Sequence, residues 1–288
     1  MIRSGEKHKG LEVKNDVGGI RMILKYAIYQ MDIVPGNPSK NRAKVKEWMK
    51  REVAKNKPDV VVLPEMWTTA YTLPSLDEQA DIGGEPTKGF LQNLALSLNV
   101  NIIGGSVANK VNDCFYNTSF IIDRNGVVVY QYNKVHLVPM LDEHKYLTGG
   151  QKPPTVFELE GVKMGVIICY DLRFPEVIRS LALEGVEILH VVAEWPEARA
   201  AHWRILQLAR AIENQMYVVS ANRVGEYNNI LFCGKSMVID PWGEIVVEGS
   251  RYSEDSFCTQ IDASTVPQVR KDIPVFESRV PHLYKKLF

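Results

Sequence analysis

Short β-branched runs that stop abruptly at a proline or a charged turn recur along this chain, and helical patterns follow several of them. "DVVVLPE" (59–65), "KMGVIIC" (163–169), "VEILHVVA" (186–193) and "MYVVSAN" (216–222) are too short for helices and too apolar for loops. Strands buried on both faces read this way. Further strands are expected at 23–30, in "NIIGGSVA" and "YNTSFIID", and near 237–240, 244–247 and 257–261. Helices are expected at 37–55, with Asn37 or Ser39 as cap and Pro38 near the first position, and at 87–98, where Phe90, Leu91, Leu94, Ala95 and Leu98 keep helical spacing. Two more fall at 175–184 and 197–215. "DRNG" (123–126) and "DPWG" (240–243) are turn signals that fold one strand back on the next. Hairpins interleaved with strand–helix–strand units predict an α/β domain of two mixed sheets face to face, with helices outside, over residues 22–288.

Composition narrows the partners. The chain carries 34 basic and 34 acidic side chains, a net charge of zero, which argues against nucleic acid or an anionic membrane as a main partner. No apolar run approaches the roughly 18 residues that span a bilayer. Residues 1–21 are polar and lack the apolar core of a secretory signal, so they read as a flexible extension without a catalytic role. Cys114, Cys169, Cys233 and Cys258 are far apart and do not form a disulfide framework, which makes the cytoplasm the expected compartment. There the sequon at Asn117–Ser119 has no meaning.

Cys169 ends its apolar run just before a polar, proline-bearing turn, "CYDLRFPE". It is either the last residue of a core strand or a nucleophile held at a strand-to-helix turn. In the second case the following helix would favour the thiolate, and the Tyr170 N–H would point at a developing oxyanion. Two other strand ends offer complementary groups, Glu65 after "VVVLP" and Lys134 after "VVVYQYN". Each taken singly reads as a loop charge. Together they supply the base and the cation that a thiol nucleophile needs.

"LPEMW", "YNKVHL" and "GVIICYDLRFPE" resemble, in order and spacing, the three signature regions of the nitrilase superfamily of carbon–nitrogen hydrolases. The resemblance spans residues 23–275 and implies a four-layer α-β-β-α sandwich and a Glu–Lys–Cys triad at Glu65, Lys134 and Cys169. It also implies a second glutamate at Glu143, a homodimer, no cofactor and no metal. In that setting Lys134 is expected to lower the thiol pKa. Tyr170 and Trp195 become candidate pocket residues, whereas Arg173 is expected to pair structurally with Asp171 or Glu176. "CYDLRFPE", "MLDEHKYLTGG" and "EWPEARAAHW" are similar to bacterial omega-amidases, which implies hydrolysis of a small amide, that of a 2-oxo acid, through a cysteine thioester. Other amidase or N-carbamoyl amine activities, and acyl transfer, belong to the same fold.

Rival readings remain at this level. Cys169 with His136 or His190 would make a Cys–His hydrolase, and the same fold can serve as a non-catalytic binding protein. "LFCGKS" (231–236) resembles a phosphate loop, but Asn229 stands where its first glycine belongs. His136 and His144, eight apart, do not have zinc-site spacing.

Overall fold

The computed structural model describes residues 11–14 and 20–284. The extension expected at 1–21 lies largely outside them. Within it the backbone of Leu11–Lys14 forms a strand antiparallel to the start of Ile20–Gln30, with Leu11 opposite Ile23. That edge pairing has no signature in the sequence.

Two mixed sheets make the core. The first has nine strands. Ile20–Gln30, Val60–Val62 and Asn101–Ile103 run parallel at its centre, and Cys114–Ile122, Val107–Val111 and Asp81–Ile82 continue it to one edge. Val128–Asn133 pairs with Cys114–Ile122, and Asp255–Asp262 returns to pair with Ile20–Gln30. The second sheet has six strands, with Val162–Ile168, Ile188–Ala193 and Tyr217–Asn222 parallel at its centre.

Alternation along each strand decides what each face meets. Leu24, Tyr26, Ile28, Val60 and Val62 point toward the second sheet and pack with Met164, Val166, Ile168 and Val191 in one buried cluster. Ala27, Tyr29, Val61 and Ile102 point the other way, against Val45, Trp48 and Met49 of the helix Pro38–Asn56 and Leu91 and Leu94 of the helix Thr87–Leu98. Ile178 and Leu181 of the helix Pro175–Leu183, with Trp203 and Ala211 of the helix Ala200–Asn214, cover the second sheet. The order is helix, sheet, sheet, helix, as expected. No described helix is long and apolar enough to cross a membrane.

Asn37 caps the first helix by accepting from the Lys40 N–H at 3.0 Å. Three boundaries differ from expectation. A 3-10 turn, Cys169–Arg173, stands between the strand ending at Ile168 and the helix beginning at Pro175. A second such turn, Glu197–Arg199, precedes the helix Ala200–Asn214. "NIIGGSVA" is two strands broken at Gly104-Gly105. Gly105 has φ +61°, and a Cβ there would lie 2.0 Å from the Pro64 carbonyl oxygen. The break lets Ser106 reach the turn after Pro64, where its hydroxyl accepts the Met66 N–H at 3.0 Å.

Gly105→Ala should therefore cost at least about 2 kcal/mol, seen as a Tm lower by several degrees. An unchanged Tm would show that the Pro64 turn is not packed as described.

Candidate active site

The ends of both sheets meet over a buried cluster of charges. Glu65 follows the strand Val60–Val62, Lys134 follows Val128–Asn133, and Cys169 follows Val162–Ile168. The first two come from the nine-stranded sheet and the third from the six-stranded one. Cys169 holds a left-handed φ of 46° and is 5% exposed. The side chains of Glu65, Lys134 and Glu143 are fully buried.

Lys134 organises the cluster. Its Nζ donates to Glu143 Oε1 at 2.8 Å, to Glu65 Oε1 at 2.9 Å and to the Tyr71 hydroxyl at 3.1 Å. All three donors of the ammonium are used. Burial works to lower the Lys134 pKa, but the charges of Glu143 and Glu65 outweigh it and hold the group protonated. Glu65 Oε1 also accepts from Asn117 Nδ2 at 2.8 Å, and Oε2 accepts the Glu194 N–H at 2.8 Å. Glu143 Oε2 accepts the Val138 N–H at 2.7 Å. The Tyr71 oxygen lies 2.7 Å from Glu65 and 2.5 Å from Glu143, so its single proton serves one carboxylate at a time.

The thiol departs from expectation. Burial first, and then the charge and hydrogen bond of Glu65, push the Cys169 pKa well above its ordinary value, against the lowering by Lys134. Cys169 therefore rests as a neutral thiol. The helix that was expected to stabilise a thiolate begins only at Pro175, six residues on.

Asp171 clamps the turn below. It accepts from the Tyr132 hydroxyl at 2.8 Å, from the Ile168 N–H at 3.0 Å and from the His136 N–H at 3.2 Å, and it contacts His136 Nδ1 at 2.7 Å. His136 also stacks on Phe174 with ring centroids 3.6 Å apart. His190 lies in the core between the sheets, bonded to the Tyr26 hydroxyl and the Gly165 carbonyl. The charges that act most on the thiol are those of Glu65, Lys134 and Glu143, not of either histidine.

Of the accessory candidates, Tyr170 meets Phe174 edge-on. Trp195 is buried, donating through Nε1 to the Arg199 carbonyl at 2.9 Å. Arg173 pairs with neither Asp171 nor Glu176; its guanidinium lies 4.7 Å from the Trp195 ring centre. Asp171 already has the donors just named. Sequence reading missed Tyr71, Asn117 and Glu194. Asn117 is a polar residue on the buried half of its strand, and its carbonyl also accepts the Lys134 N–H at 2.9 Å.

A cleft of about 730 Å³ adjoins the cluster at Tyr71. Tyr71 both lines it and touches Glu65, Glu143 and Lys134. The other walls are Leu73–Pro74, Met140 to Asp142 with Tyr146, the segment Pro196–Arg199, and Tyr227–Phe232, which includes a hairpin.

The comparisons with known proteins agree with this architecture. The family model for the carbon–nitrogen hydrolases matches residues 25–271. A Staphylococcus lugdunensis protein described as a hydrolase in the agr operon is 51% identical over 228 residues, 79% of this chain and 97% of that protein. A 2-oxoglutaramate amidase of Bacillus subtilis is 43% identical over 255 residues, 88% of this chain and 97% of that protein. Among solved structures, a carbon–nitrogen hydrolase superfamily protein of Xanthomonas campestris, carrying an arsenic adduct in its active site, superposes with a TM-score of 0.83 at 29% identity, covering 90% of this chain and 98% of that one. The chain belongs to the carbon–nitrogen hydrolase family. It is an enzyme that hydrolyses carbon–nitrogen bonds other than peptide bonds.

The thiol can be tested directly. Iodoacetamide should alkylate Cys169 slowly at neutral pH and faster only as the pH climbs beyond the range of an ordinary thiol. Glu65→Gln removes a charge and a hydrogen bond that raise the pKa, so it should move this profile to lower pH. A profile unmoved or moved upward would contradict the electrostatics described.

Proposed function

We propose that Glu65, Lys134 and Cys169 form the catalytic triad of an amidase acting on the ω-amide of a small 2-oxo acid. The observation that carries this is the buried Lys134 ammonium, 2.9 Å from Glu65 beside a thiol kept neutral. A neutral thiol that touches a carboxylate is poised to lose its proton to that carboxylate as it attacks. The substrate class is supported by the 43% identity to the Bacillus subtilis 2-oxoglutaramate amidase over nearly its full length.

The steps follow from the groups. Glu65 takes the Sγ proton as sulfur bonds to the amide carbon. The oxyanion receives donors from Lys134 Nζ and the Tyr170 N–H. Among the bonds of Lys134, the one to Tyr71 is the longest, so that donor turns most readily to the oxyanion. Glu65 then gives its proton to the leaving nitrogen, ammonia departs, and a thioester remains. Water gives a proton to Glu65 and attacks the thioester carbonyl; the C–S bond breaks, the acid leaves, and Glu65 returns that proton to sulfur. Glu143 keeps Lys134 in place throughout, and Tyr71 turns its proton to whichever glutamate is ionised. Trp195, buried behind the cleft wall, fixes the Arg199 carbonyl through its Nε1–H. No cofactor enters this scheme.

We read the protein as a cytoplasmic homodimer. Ile205 and Ile212, 62% and 52% exposed, lie two turns apart on one face of the helix Ala200–Asn214, and Trp242, beside Gly243 which contacts Ile212, is 51% exposed. An apolar patch of this kind marks an association surface. Light scattering should give twice the chain mass, and Ile205→Glu with Ile212→Glu should halve it; a wild-type monomer would refute the dimer.

Ammonia release from 2-oxoglutaramate tests the chemistry. Cys169→Ala should lower kcat by 10⁴-fold or more, an order-of-magnitude expectation for loss of a nucleophile. Appreciable turnover by that variant would defeat the thioester mechanism, and a strong preference for nitriles would defeat the substrate class.

A further inference from the structure

We propose that Arg199 is the carboxylate anchor of the cleft, binding the acid end of the substrate while the amide end reaches Cys169. This rests on the substrate class proposed above and adds the residue that reads its carboxylate.

The charge inventory of the cleft leads to this residue. Of the charged side chains that line it, Asp142 pairs with Lys145 at 3.0 Å and Glu197 pairs with Arg251. Arg199 also lines the cleft and is partly buried, yet among the described residues its guanidinium has no hydrogen bond, ion pair or ring contact. The neighbouring arginines are committed. Arg223 holds Glu194 at 2.9 Å with both side chains fully buried, and Arg173 rests against Trp195. A partly dehydrated guanidinium without a partner is costly, and a carboxylate is the ligand whose two oxygens match its fork.

The backbone supports the same role. The Arg199 carbonyl accepts from Trp195 Nε1, and its N–H donates to the Pro196 carbonyl at 3.0 Å. Pro196 bridges to Phe232 at the end of the hairpin wall. Five residues upstream, the Glu194 N–H holds Glu65 Oε2. One short segment therefore fixes the base at one end and presents a free cation to the cleft at the other. Distance between amide and carboxylate becomes a property that the segment can read. Because hydrolysis leaves that carboxylate untouched, the dicarboxylate product should occupy the same anchor and inhibit competitively.

The test uses the full chain and two substrates, 2-oxoglutaramate and 4-oxopentanamide, which has methyl in place of the carboxylate. The wild type should favour the acid in kcat/KM by roughly 100-fold, the scale of a charge-assisted bidentate bond. In Arg199→Gln that ratio should collapse toward one, mainly through KM for the acid, and the inhibition constant of 2-oxoglutarate should rise in parallel. Arg199→Lys should recover part of both. A ratio preserved in Arg199→Gln would overturn the anchor, as would its collapse in Arg173→Gln instead. Equal losses on both substrates, with the inhibition constant unchanged, would assign Arg199 a structural role. A wild type that hydrolyses 4-oxopentanamide and ignores 2-oxoglutaramate would instead overturn the substrate class beneath it.

Discussion

The buried ammonium of Lys134 sets the terms for the rest of the structure. Two carboxylates and a cation without solvent are costly, and the cost is offset only when every lone pair and proton finds a partner. Here the partners come from six places: Tyr71, Asn117, Cys169, the Glu194 N–H, the Val138 N–H and the ammonium itself. Taking away one member of such a cluster strands the others and typically costs about 3–5 kcal/mol. The loop after Pro64, the break at Gly105 and the turn at Pro139–Lys145 serve to place these partners. Their irregular backbones are consequences of the ion cluster.

Much of this was legible in the sequence because strand ends are conspicuous. Glu65 and Cys169 each follow an apolar run that stops at once, Lys134 follows an alternating one, and two mixed sheets follow from hairpins set among strand–helix–strand units. The capping role of Asn37 and the helix at 87–98 are local matters, settled by a few side chains. What was not legible depended on long-range placement. Asn117 sits inside a strand, where its only sequence mark is a sequon. Tyr71 sits in an irregular stretch that no periodicity describes.

The thiol shows why electrostatics resists reading from a string of letters. A lysine and a nearby helix suggested a lowered pKa. Burial and a facing carboxylate reverse the sign, and neither can be weighed before the depth of the site is known. Arg173 teaches the same lesson about partners. Proximity along the chain proposed Asp171, but Asp171 was already engaged by Tyr132 and His136, residues 39 and 35 positions away.

The seam between the two sheets has one more implication. Glu65 and Lys134 ride on one sheet and Cys169 on the other, so the side chains packed between the sheets act as the spacer that sets their separation. Strands advance about 3.3 Å per residue, and a bond between thiol and carboxylate tolerates far less than that. Packing between the sheets, where Val62 and Val166 sit, therefore fixes the geometry of the charge cluster as well as the stability of the fold.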